Sequence, residues 1–142
     1  MKLALSMVLF SAVGALFSTQ LTYFKEGEII GSYTPAIKAG RTLYISGQIA
    51  LTPGQTDLGN LDFEAETRQV IENLIGLLKK AGYNTTDLVQ CTVYLKDIRV
   101  FPTFNRIYGE YFKNGKAPTR TTVEVSNLPR NAKIEISAIA YK

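Results

Sequence analysis

Histidine is absent from this 142-residue chain, and cysteine occurs once. Without imidazole there is no Ser-His-Asp triad, no histidine general base and no His- or Cys-rich metal site. The lone cysteine also excludes an intrachain disulfide. Cys91 is set among Val89, Val93 and Leu95, so it reads as a small buried hydrophobe rather than a nucleophile. No run of lysine and arginine is longer than the pair Lys79-Lys80. The formal charge of +4 is therefore diffuse, compatible with small anions but lacking the basic stripe of a nucleic-acid binder. The sequence holds no glycine-rich phosphate loop, no internal repeat and no low-complexity tract. Chemistry is left to arginine, carboxylates, tyrosine, serine, threonine and backbone groups.

What is present begins with an apolar run, Leu3 to Phe17, broken only by Ser6, Ser11 and Gly14. It is shorter than the roughly 20 residues of a membrane span. It suits the apolar region of a secretory signal, with small residues at Val13-Gly14-Ala15, or less comfortably Leu16-Phe17-Ser18, before a cut. The expectation is a leader over residues 1–20 and a folded domain over residues 21–142. Removal of the leader would leave an exported protein, periplasmic or secreted, without stable membrane association. The alternatives are an uncleaved anchor and, if the start codon is misplaced, a cytoplasmic protein.

The rest has the composition of one globular domain, 46% hydrophobic and 20% charged. Leu21 to Phe24 suits a short strand, and Ala39-Gly40 a hairpin turn. From Arg41 to Ile49 the residues alternate, with Leu43, Ile45, Gly47 and Ile49 facing one way and Thr42, Tyr44, Ser46 and Gln48 the other. Asp62 is placed to cap a helix, with Glu64 and Glu66 in the first turn where the dipole favours acids. Phe63, Val70, Ile71, Leu74, Leu77, Leu78 and Ala81 form its apolar stripe, and Gly82 ends it. Leu88 to Lys96 alternates with Val89, Cys91, Val93 and Leu95 on the apolar side. A second helix follows from about Phe101 to Phe112, then strands over Arg120 to Val125 and Ala132 to Tyr141. The order β-β-β-α-β-α-β-β predicts an α+β single domain, a mixed sheet with two helices on one face. The other sheet face, with Tyr44, Ser46, Thr92 and Tyr94, is too polar for a core and too aromatic for free surface. That composition points to a subunit interface and a homo-oligomer.

Strand periodicity puts Arg120, Thr122 and Glu124 on one side of their strand, and Lys133, Glu135 and Ser137 on the polar side of the last. Arginine grips carboxylate or phosphate bidentately, and a partly buried glutamate can serve as a general acid/base. On spacing alone these charges equally describe a solvated strand face with an ion pair. Tyr33 lies in a turn-rich loop, where it could orient a ligand or merely cover the turn. Gly47 could admit a ligand or bulge its strand, and Asn105 inside a helix suggests a hydrogen-bonding duty. Asn84-Thr85-Thr86 matches a glycosylation sequon, meaningful only in a eukaryotic secretory host.

Several segments together resemble the RidA (YjgF-type) family of imine deaminases. They are Gly31-Ser32-Tyr33-Thr34-Pro35-Ala36, Leu43-Tyr44-Ile45-Ser46-Gly47-Gln48-Ile49, Glu66-Thr67-Arg68-Gln69-Val70 and Thr92-Val93-Tyr94-Leu95-Lys96-Asp97. Asn105-Arg106-Ile107-Tyr108, Pro118-Thr119-Arg120, Val123-Glu124-Val125 with Leu128-Pro129, and Ile134-Glu135-Ile136-Ser137-Ala138-Ile139-Ala140 complete the set. The resemblance runs from about Thr22 to Tyr141. It implies a chorismate-mutase-like homotrimer with clefts between subunits, hydrolysing 2-imino acids such as 2-iminopropanoate and 2-iminobutanoate to 2-oxo acids and ammonia. No cofactor and no metal are implied, and no nucleic-acid partner is expected. By the same resemblance Arg120 clamps the substrate carboxylate, Glu135 activates water and Tyr33 closes over the substrate. Ser46, Gly47, Asn105 and Thr122 line the cleft. Ser32 stands where the family usually has proline, and Thr122 where cysteine is common. The competing readings are a non-catalytic ligand-binding or chaperone-like trimer and, more distantly, an endoribonuclease or translation inhibitor.

Overall fold

The computed structural model describes residues 20–25, 31–113 and 115–142. The leader expected over residues 1–20 lies, but for Gln20, outside them. Among the described residues six strands form one sheet, ordered β1-β2-β3-β6-β4-β5. In chain order the elements are β1 (Leu21–Phe24), β2 (Ala36–Ala39), β3 (Thr42–Gln48), α1 (Phe63–Lys80), β4 (Leu88–Leu95), α2 (Phe101–Tyr111), β5 (Thr119–Glu124) and β6 (Ile134–Tyr141). Only β4 and β5 pair in parallel, joined by the crossover through α2. The mixed α+β sheet and its element order are those the sequence predicts.

The helix signals act as expected. Asp62 accepts a hydrogen bond from the Ala65 N–H at 2.8 Å, satisfying a donor that the first turn leaves open. Gly82 takes φ +80° just past the end of α1, a left-handed position natural to glycine. The apolar stripe of α1 (Val70, Ile71, Leu74, Leu77, Leu78) and the α2 residues Phe104, Ile107 and Tyr108 share one core with Leu43, Ile45, Cys91, Val93, Leu95, Ile134, Ile136, Ala138 and Ala140. Both helices thus cover the same sheet face. The opposite face leaves Tyr23 and Tyr44 about half exposed. No helix among the described residues is long and apolar enough to cross a membrane.

Two expectations of strict alternation fail, both at bulges. Val89 is exposed rather than apolar-facing, because the β4–β6 pairing slips between Leu88 and Gln90. In β3, Ile45 pairs with Ala138 but Gln48 with Ile136, so Ser46 and Gly47 together oppose Ser137. The extra residue exchanges the two sides of the strand. Gly47 therefore faces away from the helices, and Gln48 takes the side of buried Ile136.

Glu66 is fully buried, a role beyond the dipole-favoured acid of a first turn. Its carboxylate accepts from Lys133 N–H at 2.5 Å and from Lys133 Nζ at 2.9 Å, joining α1 to the start of β6. Removing the ammonium while leaving the buried carboxylate is the costly way to break such a pair. Because the ammonium is itself half exposed and the backbone N–H contact survives, Lys133→Ala is expected to destabilise the fold by about 2 kcal/mol, read as a lower urea midpoint with an unchanged slope.

Candidate functional site

The residues singled out in the sequence fall into two groups. The first surrounds Arg120 on edge strand β5. Arg120 is in register with Cys91 and Thr122 with Val93, which puts both side chains on the helix-covered face. The Arg120 guanidinium lies over three α2 rings, with centroids at 5.6 Å for Phe101, 5.0 Å for Phe104 and 4.7 Å for Tyr108. Its Nη2 donates to Asn105 Oδ1 at 2.8 Å. Asn105 thus does the hydrogen-bonding duty its place in a helix suggested. Neither the ion pair nor the solvated face that spacing also allowed describes Arg120. It is half-buried on an aromatic floor, while Glu124 is engaged elsewhere, accepting from the Ile98 N–H at 2.7 Å.

Buried polar groups flank this guanidinium. Thr122 Oγ1 and the Tyr108 hydroxyl are buried without a hydrogen-bond partner in normal geometry. The Tyr108 hydroxyl neighbours the Cys91 thiol, and burial pushes both pKa values up, so neither ionises readily. The thiol is accordingly no ready nucleophile. An unpartnered hydroxyl such as Thr122 Oγ1 is unfavourable unless a ligand or water completes it.

The second group lies on the opposite, open face. Glu135 is in register with Tyr94, three residues on from Cys91 and hence on the other side of the sheet. Its carboxylate rests on Gly47: a β-carbon built there would lie 1.8 Å from Glu135 Oε1. Glu135 makes no hydrogen bond or ion pair to any described residue, and burial raises its pKa above the ordinary carboxylate value. Beside it, Ser46 Oγ donates to the Thr34 carbonyl at 2.7 Å, and Ser46 N–H to the Pro35 carbonyl at 2.9 Å. Ser46 thereby ties down the loop that carries Tyr33, whose ring is half exposed. The hydroxyl can still accept a hydrogen bond from a ligand.

Arg120, Asn105 and Thr122 thus share one face, and Glu135, Gly47, Ser46 and Tyr33 belong to the other side. The sheet separates them. One chain cannot close both sets around a small molecule. Among the described residues no three histidine, cysteine, aspartate or glutamate side chains gather to hold a metal ion.

Residues 25–142 match the family described as Endoribonuclease L-PSP. This chain belongs to the RidA family. Among curated relatives of this RidA-family protein is the RutC family protein of Pyrococcus horikoshii, 49% identical over 80% of this chain and 89% of that one. The human 2-iminobutanoate/2-iminopropanoate deaminase is 41% identical, over 80% of this chain and 82% of its own. The crystal structure of E. coli TdcF with bound serine matches with a TM-score of 0.76 at 32% identity, covering 83% of this chain and 94% of that chain.

Proposed function

We propose that this RidA-family protein hydrolyses reactive 2-imino acids, such as 2-iminopropanoate and 2-iminobutanoate, in clefts between the subunits of a homotrimer. The observation that carries this reading is the pairing of an anion clamp with an unpartnered, partly buried carboxylate. A binding module needs only the clamp. The relatives named as imine deaminases, and the amino acid bound by TdcF, support the same substrate class. Arg120 and Glu135 lie on opposite faces, so a ring of subunits in head-to-tail contact would complete each cleft with the Arg120 edge of one copy and the Glu135 face of the next. Edge strand β5 and the half-exposed tyrosines of the open face are both surfaces that gain from such cover.

In that cleft Arg120 grips the substrate carboxylate through two parallel N–H groups, steadied by Asn105 and the rings beneath. Thr122 supplies a hydroxyl donor. Glu135 takes a proton from water as the water oxygen bonds to the imine carbon, and the C=N electron pair passes to nitrogen. Glu135 returns the proton to the amine, the C–N bond breaks, and ammonia leaves as the carbonyl forms. The hydroxyl proton departs through Glu135 to solvent. Tyr33, on its tethered loop, closes over the substrate and donates a hydrogen bond. A protonated imine is already electrophilic, so orientation and one base suffice. Export, if the leader directs it, would place this activity outside the cytoplasm.

Release of ammonia and 2-oxo acid from freshly generated 2-aminoacrylate tests the reading. The parent should accelerate it, and Arg120→Ala and Glu135→Gln should each slow it by about 10²-fold or more. No acceleration by the folded parent would overturn the proposal. RNA cleavage that survives further purification and is lost in Arg120→Ala would instead favour the activity in the family's description.

The base must be ionised, and burial raises the Glu135 pKa. Activity should therefore fall as pH drops through a value above the ordinary carboxylate range. A pH profile of kcat/KM checks this; a limb at or below the ordinary range would remove Glu135 as the base.

A further inference from the structure

The bulge in β3 carries its own fastener. Where an extra residue interrupts a ladder, regular pairing is lost locally, and carbonyls shielded from water need another donor. Gln48 Nε2 donates to the Ser46 carbonyl at 3.0 Å and, more weakly, to the Gly47 carbonyl at 3.4 Å. Two carbonyl partners call for the NH2 end of the amide. The side chain therefore turns back on its own strand and spans both bulged residues. It is half-buried and lies on the side of Ile136. The residues just beyond it are held from α1. Asn73 Nδ2 donates to the Ile49 carbonyl at 2.9 Å and to the Leu51 carbonyl at 2.7 Å, and Gln69 Nε2 donates to Asn73 Oδ1 at 2.8 Å. Before the bulge, Ser46 is tied to the Thr34 and Pro35 carbonyls. Gln48 thus bridges two fixed segments, and Gly47 sits between them.

Glu135 meets Gly47 from the opposite face of the sheet. Its carboxylate makes no hydrogen bond or ion pair to any described residue, so the backbone against which it rests sets its place. That fit is close: a β-carbon on Gly47 would come within 3.0 Å of Glu135 Oε1, Cδ and Cγ alike. Tyr94 is level with Glu135 on β4, and Lys133, two residues earlier, is engaged by Glu66. Burial is what raises the Glu135 pKa, with no charged neighbour contributing.

We propose that Gln48 is a positioning residue for the proposed base: by clamping the Ser46 and Gly47 carbonyls it fixes the notch in which Glu135 rests. The proposal builds on the reading of Glu135 as the group that activates water. Gln48 makes no hydrogen bond to that carboxylate and acts on it through the backbone of Gly47. Release of the clamp frees the bulge to shift, and a misplacement of about an ångström is enough to slow a positioned base.

Gln48→Met tests this, because it keeps the length of the side chain and removes both N–H donors. The kcat for ammonia release from 2-aminoacrylate should fall on the order of 10-fold, with KM within about twofold of the parent's. A second readout needs no turnover. NMR titration of the Glu135 carboxyl, assigned by the signal missing from Glu135→Gln, should show its midpoint falling toward the ordinary carboxylate range as the notch loosens. Tyr83→Phe, which removes a hydrogen bond to the Arg41 carbonyl just before β3, should move neither readout. Gln48→Glu, of nearly the same shape but without donors when ionised, replaces the methionine variant if that fails to fold. An unmoved midpoint in the folded variant would overturn the proposal whatever the rate. An unchanged kcat in an active parent would also overturn it, and with a lower Tm would make Gln48 a stabilising residue only. A folded parent without activity would overturn the deaminase reading instead, and the midpoint alone would then decide whether Gln48 places Glu135.

Discussion

Mixed oligomers of the Arg120→Ala and Glu135→Gln variants are expected to recover roughly a quarter of the parent's imine hydrolysis, although each variant alone is close to inactive. The expectation follows from strand register. Arg120 is level with Cys91, and Glu135 with Tyr94, so the proposed clamp and the proposed base occupy opposite faces. If each cleft takes one from each neighbour, random mixing leaves about one site in four with both groups intact. Were both groups drawn from a single chain, no mixture could restore activity, because every chain carries one lesion. Refolding the two variants together and assaying ammonia release distinguishes these cases. Recovery near zero from well-formed oligomers would refute the shared cleft.

Gly47→Ala is expected to separate activity from stability. The added carbon would meet Glu135 Oε1 at 1.8 Å, Cδ at 2.7 Å and Cγ at 3.0 Å. These atoms belong to a flexible side chain on a half-open face, so the carboxylate can swing aside at little cost to the fold. Its displacement by more than an ångström should lower kcat on the order of 10²-fold, with Tm almost unchanged. A large fall in Tm would mean that Gly47 serves the bulge rather than the base. Unchanged kcat would mean that the carboxylate need not rest where it does.

Much of the scaffold is legible in the sequence because it rests on local chemistry. Asp62 and Gly82 mark the ends of α1, and the period of Val70, Ile71, Leu74, Leu77 and Leu78 selects its buried stripe. The β3 assignment fails at Gly47 because a bulge is a relation between strands, and alternation within one strand carries no record of it. Glycine inside a strand pattern is the one signal that hints at it. Val89 is misplaced for the same reason. Glu66 reads as a helix-start acid because its partner Lys133 is 67 residues away. The candidate site residues are named by resemblance, but their division between two faces depends on pairings among β4, β5 and β6. Ser46 shows another limit: a hydroxyl named for the cleft is also a fastener for the Tyr33 loop.

The aromatic floor beneath Arg120 belongs to α2, whereas Glu135, on β6, rests in the notch left by Gly47 on β3. On the proposed reading, recognition and hydrolysis are written on separate stretches of the polypeptide. Substitutions along α2 would then retune which acids are accepted without disturbing the side proposed to activate water. A lineage with that division of labour would be free to shift its diet while conserving its chemistry.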